Sequence, residues 1–261
     1  MRNTPDQQIS LTDPDARSMA TSGRGSGVVG YNVQVAVDTE HHLIVAHEVI
    51  NVGNDRGQLA RMSKQAKEVL EADKLEAVAD RGYFDGEEIL ACEQAGVAVT
   101  LPKPMTSNAK AEGRFGKQDF AYLPDEDVYP CPSGQLLPYH YTNIEHGMTL
   151  RHYWSTAACQ GSAIKSQCTP SKERRITRWE HEYVIKEVQR RLDSNPDAMR
   201  KRRETVEPFG TIKARMGATH FLMKRLRNVA AEMAVHVLAY NLTRVMNIVG
   251  KPSLIAAIRA T

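Results

Sequence analysis

The run Tyr31-Asn32-Val33-Gln34-Val35-Ala36-Val37, the polar turn Asp38-Thr39-Glu40-His41-His42 and the return run Leu43-Ile44-Val45-Ala46-His47-Glu48-Val49-Ile50 decide the fold class. Apolar residues recur at alternate positions in the first arm, the period that places them on one face of a strand; the polar turn interrupts it, and an apolar run resumes in the second arm. A β-hairpin is expected. Downstream, Leu59, Met62, Ala66 and Leu70 return every three to four residues, so a helix is expected there with Asp55 as its cap. Leu75-Glu76-Ala77-Val78 then reads as a short strand, followed by a helix near Glu87 to Gln94 and the strand Val97-Ala98-Val99-Thr100-Leu101. Strands alternating with helices imply a mixed α/β sheet. Upstream, residues 1–27 are polar and end in Ser22-Gly23-Arg24-Gly25-Ser26-Gly27, an irregular lead-in.

Beyond Pro104 the composition changes. Residues 105–120 are polar with little periodicity, and residues 121–170 hold Pro, Tyr and Cys131, Cys159 and Cys168 without a helical period. An insertion over 105–172 is expected between a first half of the core at 28–104 and a second at 173–250. In that second half Trp179, Tyr183, Val188 and Leu192 recur at helical spacing until Asp193-Ser194-Asn195-Pro196 stops one helix and opens another. On this next helix Arg200, Arg203 and Glu207 share a face. From Val229 to Val249 the chain is apolar on nearly all sides, which predicts a buried helix ended by Gly250-Lys251-Pro252.

The chain has 261 residues, 41% of them hydrophobic, enough for one sizeable core with a small insertion. Its formal net charge of +3 permits nucleic-acid binding without requiring it. Four irregularly spaced cysteines do not make a disulfide scaffold, and reduced thiols in a cytoplasmic, soluble protein are expected. No apolar stretch reaches the roughly 20 residues needed to span a bilayer, so no membrane partner is expected.

Two segments carry the chemistry. Ala79-Asp80-Arg81-Gly82-Tyr83 sets Asp80 at the end of the 75–78 strand, where the Gly82 turn leaves room for a ligand. Arg200-Lys201-Arg202-Arg203-Glu204-Thr205-Val206-Glu207-Pro208-Phe209-Gly210 puts a carboxylate behind a row of cations. Carboxylate oxygens hold divalent cations, and basic side chains hold the phosphodiester that those cations polarise. Each feature has a plainer explanation: Asp80 as a turn former, Glu207 as a partner in helical ion pairs stabilising by about 0.2–0.5 kcal/mol each, and the arginines as a solvated face.

On these residues the chain resembles the DDE transposases of bacterial insertion sequences. The resemblance implies an α/β, ribonuclease-H-like mixed sheet flanked by helices, with a small Cys-containing insertion. An Asp-x-Gly-Tyr motif matches Asp80, and an Arg-x-x-x-Glu motif followed by Lys matches Arg203, Glu207 and Lys213. It implies Asp80 and Glu207 as catalytic, metal-holding acids, Arg200, Arg203 and Lys213 as phosphate contacts, and Mg²⁺ or Mn²⁺ as the cofactor. DNA cleavage and strand transfer by two-metal phosphoryl transfer would follow, with element ends and target DNA as partners and a homo-oligomer, or a mixed assembly with full-length transposase, acting on them. Two departures stand out. The family's first Asp, carried by an initial strand, has no counterpart before the hairpin, and relatives read Glu-His-Pro-Phe-Gly where this chain has Glu207-Pro208-Phe209-Gly210.

A sheet incomplete at its first strand, and a truncated, catalytically impaired copy, are therefore expected. Whether the chain is an enzyme stays open, with a DNA-binding remnant and a metal-dependent nuclease of the same fold as the alternatives. Pro208 disfavours helical backbone at Glu207 and clashes with the carbonyl of Glu204, so distorted geometry is expected there. A structural zinc site needs four N or S ligands; Cys131, Cys159 and Cys168 with Ser162 fall one short even if His152 is considered, and zinc is not expected. His220 and His236 read as packed or surface residues.

Overall fold

The computed structural model describes residues 10–19, 28–104, 108, 109 and 111–260. Most of the glycine-rich lead-in at 1–27 lies outside them. The chain divides into two compact units, one formed by residues 1–103 with 187–261 and the other by residues 104–186.

The first unit opens with β1 (Arg17–Met19) antiparallel to β2 (Val28–Gly30). The predicted hairpin follows as β3 (Asn32–Val37) and β4 (Ile44–Ile50), paired from Asn32 with Ile50 to Val37 with Ile44. Next come α1 (Leu59–Val69), β5 (Leu75–Val78), α2 (Gly86–Gln94) and β6 (Val97–Thr100). β5 and β6 are parallel, joined by a helical crossover as parallel neighbours require. Asp85 caps α2 by accepting the Glu87 and Glu88 amides.

The second unit is built on β7 (Val128–Pro130), β8 (Leu136–Glu145), β9 (Met148–Tyr153), the short helices α3 (Thr156–Gln160) and α4 (Lys165–Cys168), and β10 (Ile176–Trp179). Its four strands lie antiparallel in the order β10, β9, β8, β7. Phe120, Tyr129, Leu137, Tyr153, Cys168 and Ile176 form its core. Trp179 belongs to β10, and α5 (Glu182–Ser194) begins three residues later, so the helical spacing read from Trp179 onward spans an element boundary.

The chain returns to the first unit within α5 and continues through α6 (Ala198–Glu204), α7 (Glu207–Gly210), a π-turn at Thr211–Arg215, α8 (Leu226–Val249) and α9 (Lys251–Ala260). Val229, Met233, Val237 and Tyr240 of α8 pack with Ile44, Val49 and Ile212, and Val33, Val35 and Val37 lie against the same cluster. On the other face of the hairpin, Ala36 and Ala46 meet Met62 and Ala66 of α1. The hairpin is thus a middle layer between two helices; in β3 alternate residues supply the two faces, while the register shift between Ala36 and Val37 changes the parity in β4, so that Ile44 and Val49 share the α8 face and Ala46 the other.

Mixed α/β architecture is observed. Among the described residues the first unit's strands form three separate two-stranded sheets, β1 with β2, β3 with β4 and β5 with β6, so no continuous ribonuclease-H-like sheet is assembled. Three further expectations are corrected. Arg17–Met19 of the lead-in is a strand, not irregular chain. Asp55 does not cap α1 with its side chain: Gln58 stands at the cap, and the side-chain amides of half-buried Asn32 and buried Gln34 claim the Asp55 carboxylate instead. Finally, α8 is buried along only one face: Val229, Met233, Val237 and Tyr240 are buried, whereas Val235, Leu238 and Leu242 on its outer side are exposed among the described residues.

Candidate functional site

Asp80 lies just past β5, held in register by the Ala79 N–H donating to the Thr100 carbonyl. It caps a single 3₁₀ turn, Arg81–Tyr83, its Oδ1 accepting the Arg81 N–H at 2.6 Å. Its Oδ2 accepts from Arg202 Nη2 at 3.1 Å, and about half of the side chain stays exposed (48%). Arg202 comes from α6, which packs on β5. The basic helix and the aspartate strand of the sequence reading therefore meet, through Arg202 instead of Arg200 or Arg203. Arg200 pairs with Asp197 at 3.3 Å and Glu204 at 3.8 Å, while Arg203 Nε donates to the Met199 carbonyl of its own helix.

A polar network lies behind the Asp80 turn. Tyr83 donates its hydroxyl to Gln34 Oε1; Gln34 is 1% exposed, and its Nε2 donates to Asn32 Oδ1 at 2.8 Å and to Asp55 Oδ1 at 2.7 Å. Asn32 Nδ2 also reaches Asp55 Oδ1, at 2.8 Å. Burial and then the Asp55 and Asp80 charges push the Tyr83 hydroxyl well above its ordinary pKa, so it remains a donor throughout the working pH range. Asp55 Oδ2 lies 3.5 Å from where a Cβ on Gly82 would sit. A second carboxylate thus stands beside the Asp80 turn; its position after a hairpin and before an amphipathic helix had pointed to a cap.

Glu207 is elsewhere in its bonding. Helix α6 ends at Glu204, Thr205 and Val206 turn, and α7 restarts at Glu207 with Pro208 in its first turn. This is the outcome expected from proline, whose ring excludes the carbonyl four residues back and whose missing N–H costs nothing at a helix start. Glu207 consequently does not share one helical face with Arg200 and Arg203. Its Oε1 accepts from Thr211 Oγ1 at 2.6 Å and its Oε2 from the Tyr240 hydroxyl at 3.1 Å, and Tyr240 also reaches the His42 carbonyl in the hairpin turn. The Thr211 and Tyr240 hydroxyls, helped by Arg244, outweigh partial burial and hold the Glu207 carboxyl below its ordinary pKa. Burial and then Glu207 push Tyr240 up to about 12. The turn after Asp80 is tied through Tyr83 to Gln34, near the Asn32 end of the hairpin, and Glu207 is tied through Tyr240 to the hairpin turn.

Lys213 sits in the π-turn, its Nζ 5.8 Å from the Phe209 ring centre, and lines a cavity of about 1250 Å³ with Asp55, Lys224, His220 and His236. Asp13 closes one side of this cavity. It takes the Tyr31 hydroxyl at 2.7 Å and the Arg225 N–H on both oxygens at 3.2 Å, and Asp15 takes the Leu226 N–H. Together they satisfy the first amides of α8, where Arg225 is held at φ 72°. The polar Pro-containing stretch around Asp13 gave no sequence signal of this role, since its partner lies 212 residues away.

As arranged, these carboxylates do not fit a divalent cation: Asp80 faces a guanidinium, both Glu207 oxygens accept hydroxyl protons, and among the described residues no group of three or more His, Cys, Asp or Glu is placed to hold a metal. In the second unit Cys168 is pushed up by burial and then by its nearness to Cys131 and Cys159, while His152 bonds Asn143 and Thr177 on the sheet and not the thiols.

Residues 130–246 match the family described as transposase DDE domain. Over those residues the chain is similar to that family. The matched span contains Arg200, Arg203, Glu207 and Lys213, whereas Asp80 precedes it. Neither a curated protein nor a solved structure matches the chain. No helix among the described residues is long and apolar enough to cross a membrane.

Proposed function

We propose that the chain is a DNA-binding transposase-family protein with impaired strand cleavage, in which Asp80 and Glu207 are the two family acids. The ion pair between Asp80 and Arg202 carries this reading. It brings the family's basic helix onto the aspartate strand, and it also fills the carboxylate that a metal would need. The break at Pro208 supports the same conclusion, because it turns Glu207 away from the arginine face and toward Thr211 and Tyr240.

Lys201, Arg215 and Arg227 are exposed and make no ion pair among the described residues, and with Lys213 they are the basic groups offered to a phosphate backbone. Arg190, Arg191, Arg200 and Arg202 are already paired with carboxylates, which thins the positive face that the bare count of arginines suggested. Nicking of supercoiled DNA in Mg²⁺ or Mn²⁺, read beside fluorescence-anisotropy binding to duplex DNA, tests the proposal. Salt-dependent binding with nicking near background is the expected result. Efficient nicking that survives Asp80→Ala and Glu207→Ala would remove both acids from the site, and loss of all DNA binding at low salt would end the reading altogether.

A further inference from the structure

The aromatic residues of the second unit's sheet do different things on its two faces. On one face Tyr153 lies opposite Ile176, and both belong to the packed core. One residue along, on the other face, His152 lies opposite Tyr141 and Thr177. Here the rings stack on one another at the surface. Tyr141, 44% exposed, lies nearly parallel to His152, with ring centres 4.5 Å apart and 12° between the planes. It meets Trp154 almost at right angles, at 5.8 Å. Trp154 in turn stacks on exposed His140 at 3.5 Å and 6°, and the Arg175 guanidinium lies 4.8 Å from the Trp154 ring centre.

A bulge produces this arrangement. Between the pairs Tyr139 with Tyr153 and Tyr141 with His152, β8 carries one residue more than β9, and the extra residue is His140. Such an insertion re-aims a side chain at the loss of a ladder position. Polar contacts then fix the rings. His140 Nε2 is hydrogen-bonded to the Trp154 carbonyl at 2.9 Å, His152 Nε2 to Asn143 Oδ1 at 2.7 Å, and Arg175 donates twice to Glu173, at 2.7 and 3.0 Å. None of the four rings belongs to the core cluster of this unit, so the burial of apolar area does not account for them.

The geometry points to a stacking platform for the unpaired bases of single-stranded DNA, built from Tyr141, His140 and Trp154 and edged by Arg175. It rests on the DNA-binding reading above and adds to it the form of the DNA and a separate place on the chain. Rings that already lie parallel present faces on which a base can be laid, extending the column. In a duplex both faces of every base are covered by its neighbours, so only bases freed from the helix can use such a surface. Arg175 keeps 59% of its side chain exposed, and Lys172 of the same segment is exposed as well, which supplies positive charge for the strand's phosphates. These cations favour a charged strand over a neutral sugar. The flat column suits a planar ligand, in contrast to the shaped anchors that a protein partner would insert.

Fluorescence anisotropy with the full chain, comparing a thymidine oligomer of about 12 nucleotides with a duplex of the same length, tests this. Tyr141→Ala and Trp154→Ala should each weaken single-strand binding roughly 5- to 100-fold and leave duplex binding within about twofold. Tyr141→Phe keeps the ring and should bind as the wild type does. Trp154 and Trp179 are the two tryptophans of the chain, and the oligomer should quench an emission that Trp154→Phe removes. Should Trp154→Ala misfold, His140→Ala with Tyr141→Ala should give the same loss with an unchanged far-UV spectrum, because both side chains are exposed. Single-strand binding undiminished in these variants, equal losses on both forms of DNA, or no quenching of Trp154 would overturn the inference and leave the DNA-binding reading in place. Failure to bind either form at low salt would remove both.

Discussion

At the scale of single residues, hydroxyl and guanidinium donors govern the carboxylates. Removing the Tyr240 hydroxyl as Tyr240→Phe takes one donor from Glu207 and one from the His42 carbonyl. We expect a loss of about 1–2 kcal/mol in denaturant unfolding and a rise in the Glu207 pKa measured by carboxyl NMR titration. The sign of the pH dependence follows. A carboxyl whose folded pKa is depressed stabilises the protein above its ordinary pKa, and that contribution is lost as pH falls through the lowered value. Asp127 behaves alike: burial would raise it, but the Tyr153 and Tyr122 hydroxyls and Arg151 outweigh this and hold it low. Melting temperature should therefore fall below about pH 4, and more gently in Asp127→Asn. Asp80 differs because it is itself about half exposed to water. Arg202→Ala should change stability by no more than about 1 kcal/mol, the range of such pairs. If the ion pair keeps metal away, the same variant should raise Mg²⁺-dependent nicking above wild type.

At the scale of elements, periodicity located what periodicity can report. The first hairpin arm alternates, a polar turn and a second apolar run follow, and β3 and β4 stand where these were read, with one register shift between Ala36 and Val37. Disturbance at Pro208 was legible too, since it acts through its own ring and needs no distant partner, but the sequence reading kept Arg200, Arg203 and Glu207 on one helix where the chain has two. The contacts that cross the chain were not legible. Nothing local marks Asp13 as the acceptor for Arg225, or Gln34 as the buried amide joining Asp55 to Tyr83, because each depends on elements that meet only after folding. Asp80 and Glu207 were singled out from a motif, and the side chains that hold them, Arg202, Thr211 and Tyr240, carried no such signal. Two predictions belong here. Asp13→Ala leaves the first amides of α8 and a positive-φ residue unsupported, and should cost about 1–3 kcal/mol in urea unfolding. Pro208→Ala removes the barrier between α6 and α7, so far-UV helicity should rise by a few residues while the Glu207 environment changes.

At the scale of the whole molecule, one unit is assembled from both ends of the chain, with residues 104–186 folded as a unit of their own between its halves. The positively charged surface left for DNA is smaller than the sequence count implies, because many arginines are neutralised within the fold. The slope of log affinity against log salt should accordingly be shallow. It should lessen by about 0.9 for each of Lys201, Arg215 and Arg227 that touches a phosphate, when that residue is replaced by Ala.

The hairpin between Asn32 and Ile50 is covered on one side by α8, which leaves the ribosome some 190 residues later. At 5–20 residues per second its valines wait about 10–40 s for that cover. During translation the nascent chain should therefore need a chaperone over Val33, Val35 and Val37, and interrupting synthesis before Val229 should yield aggregates where the finished polypeptide stays dispersed.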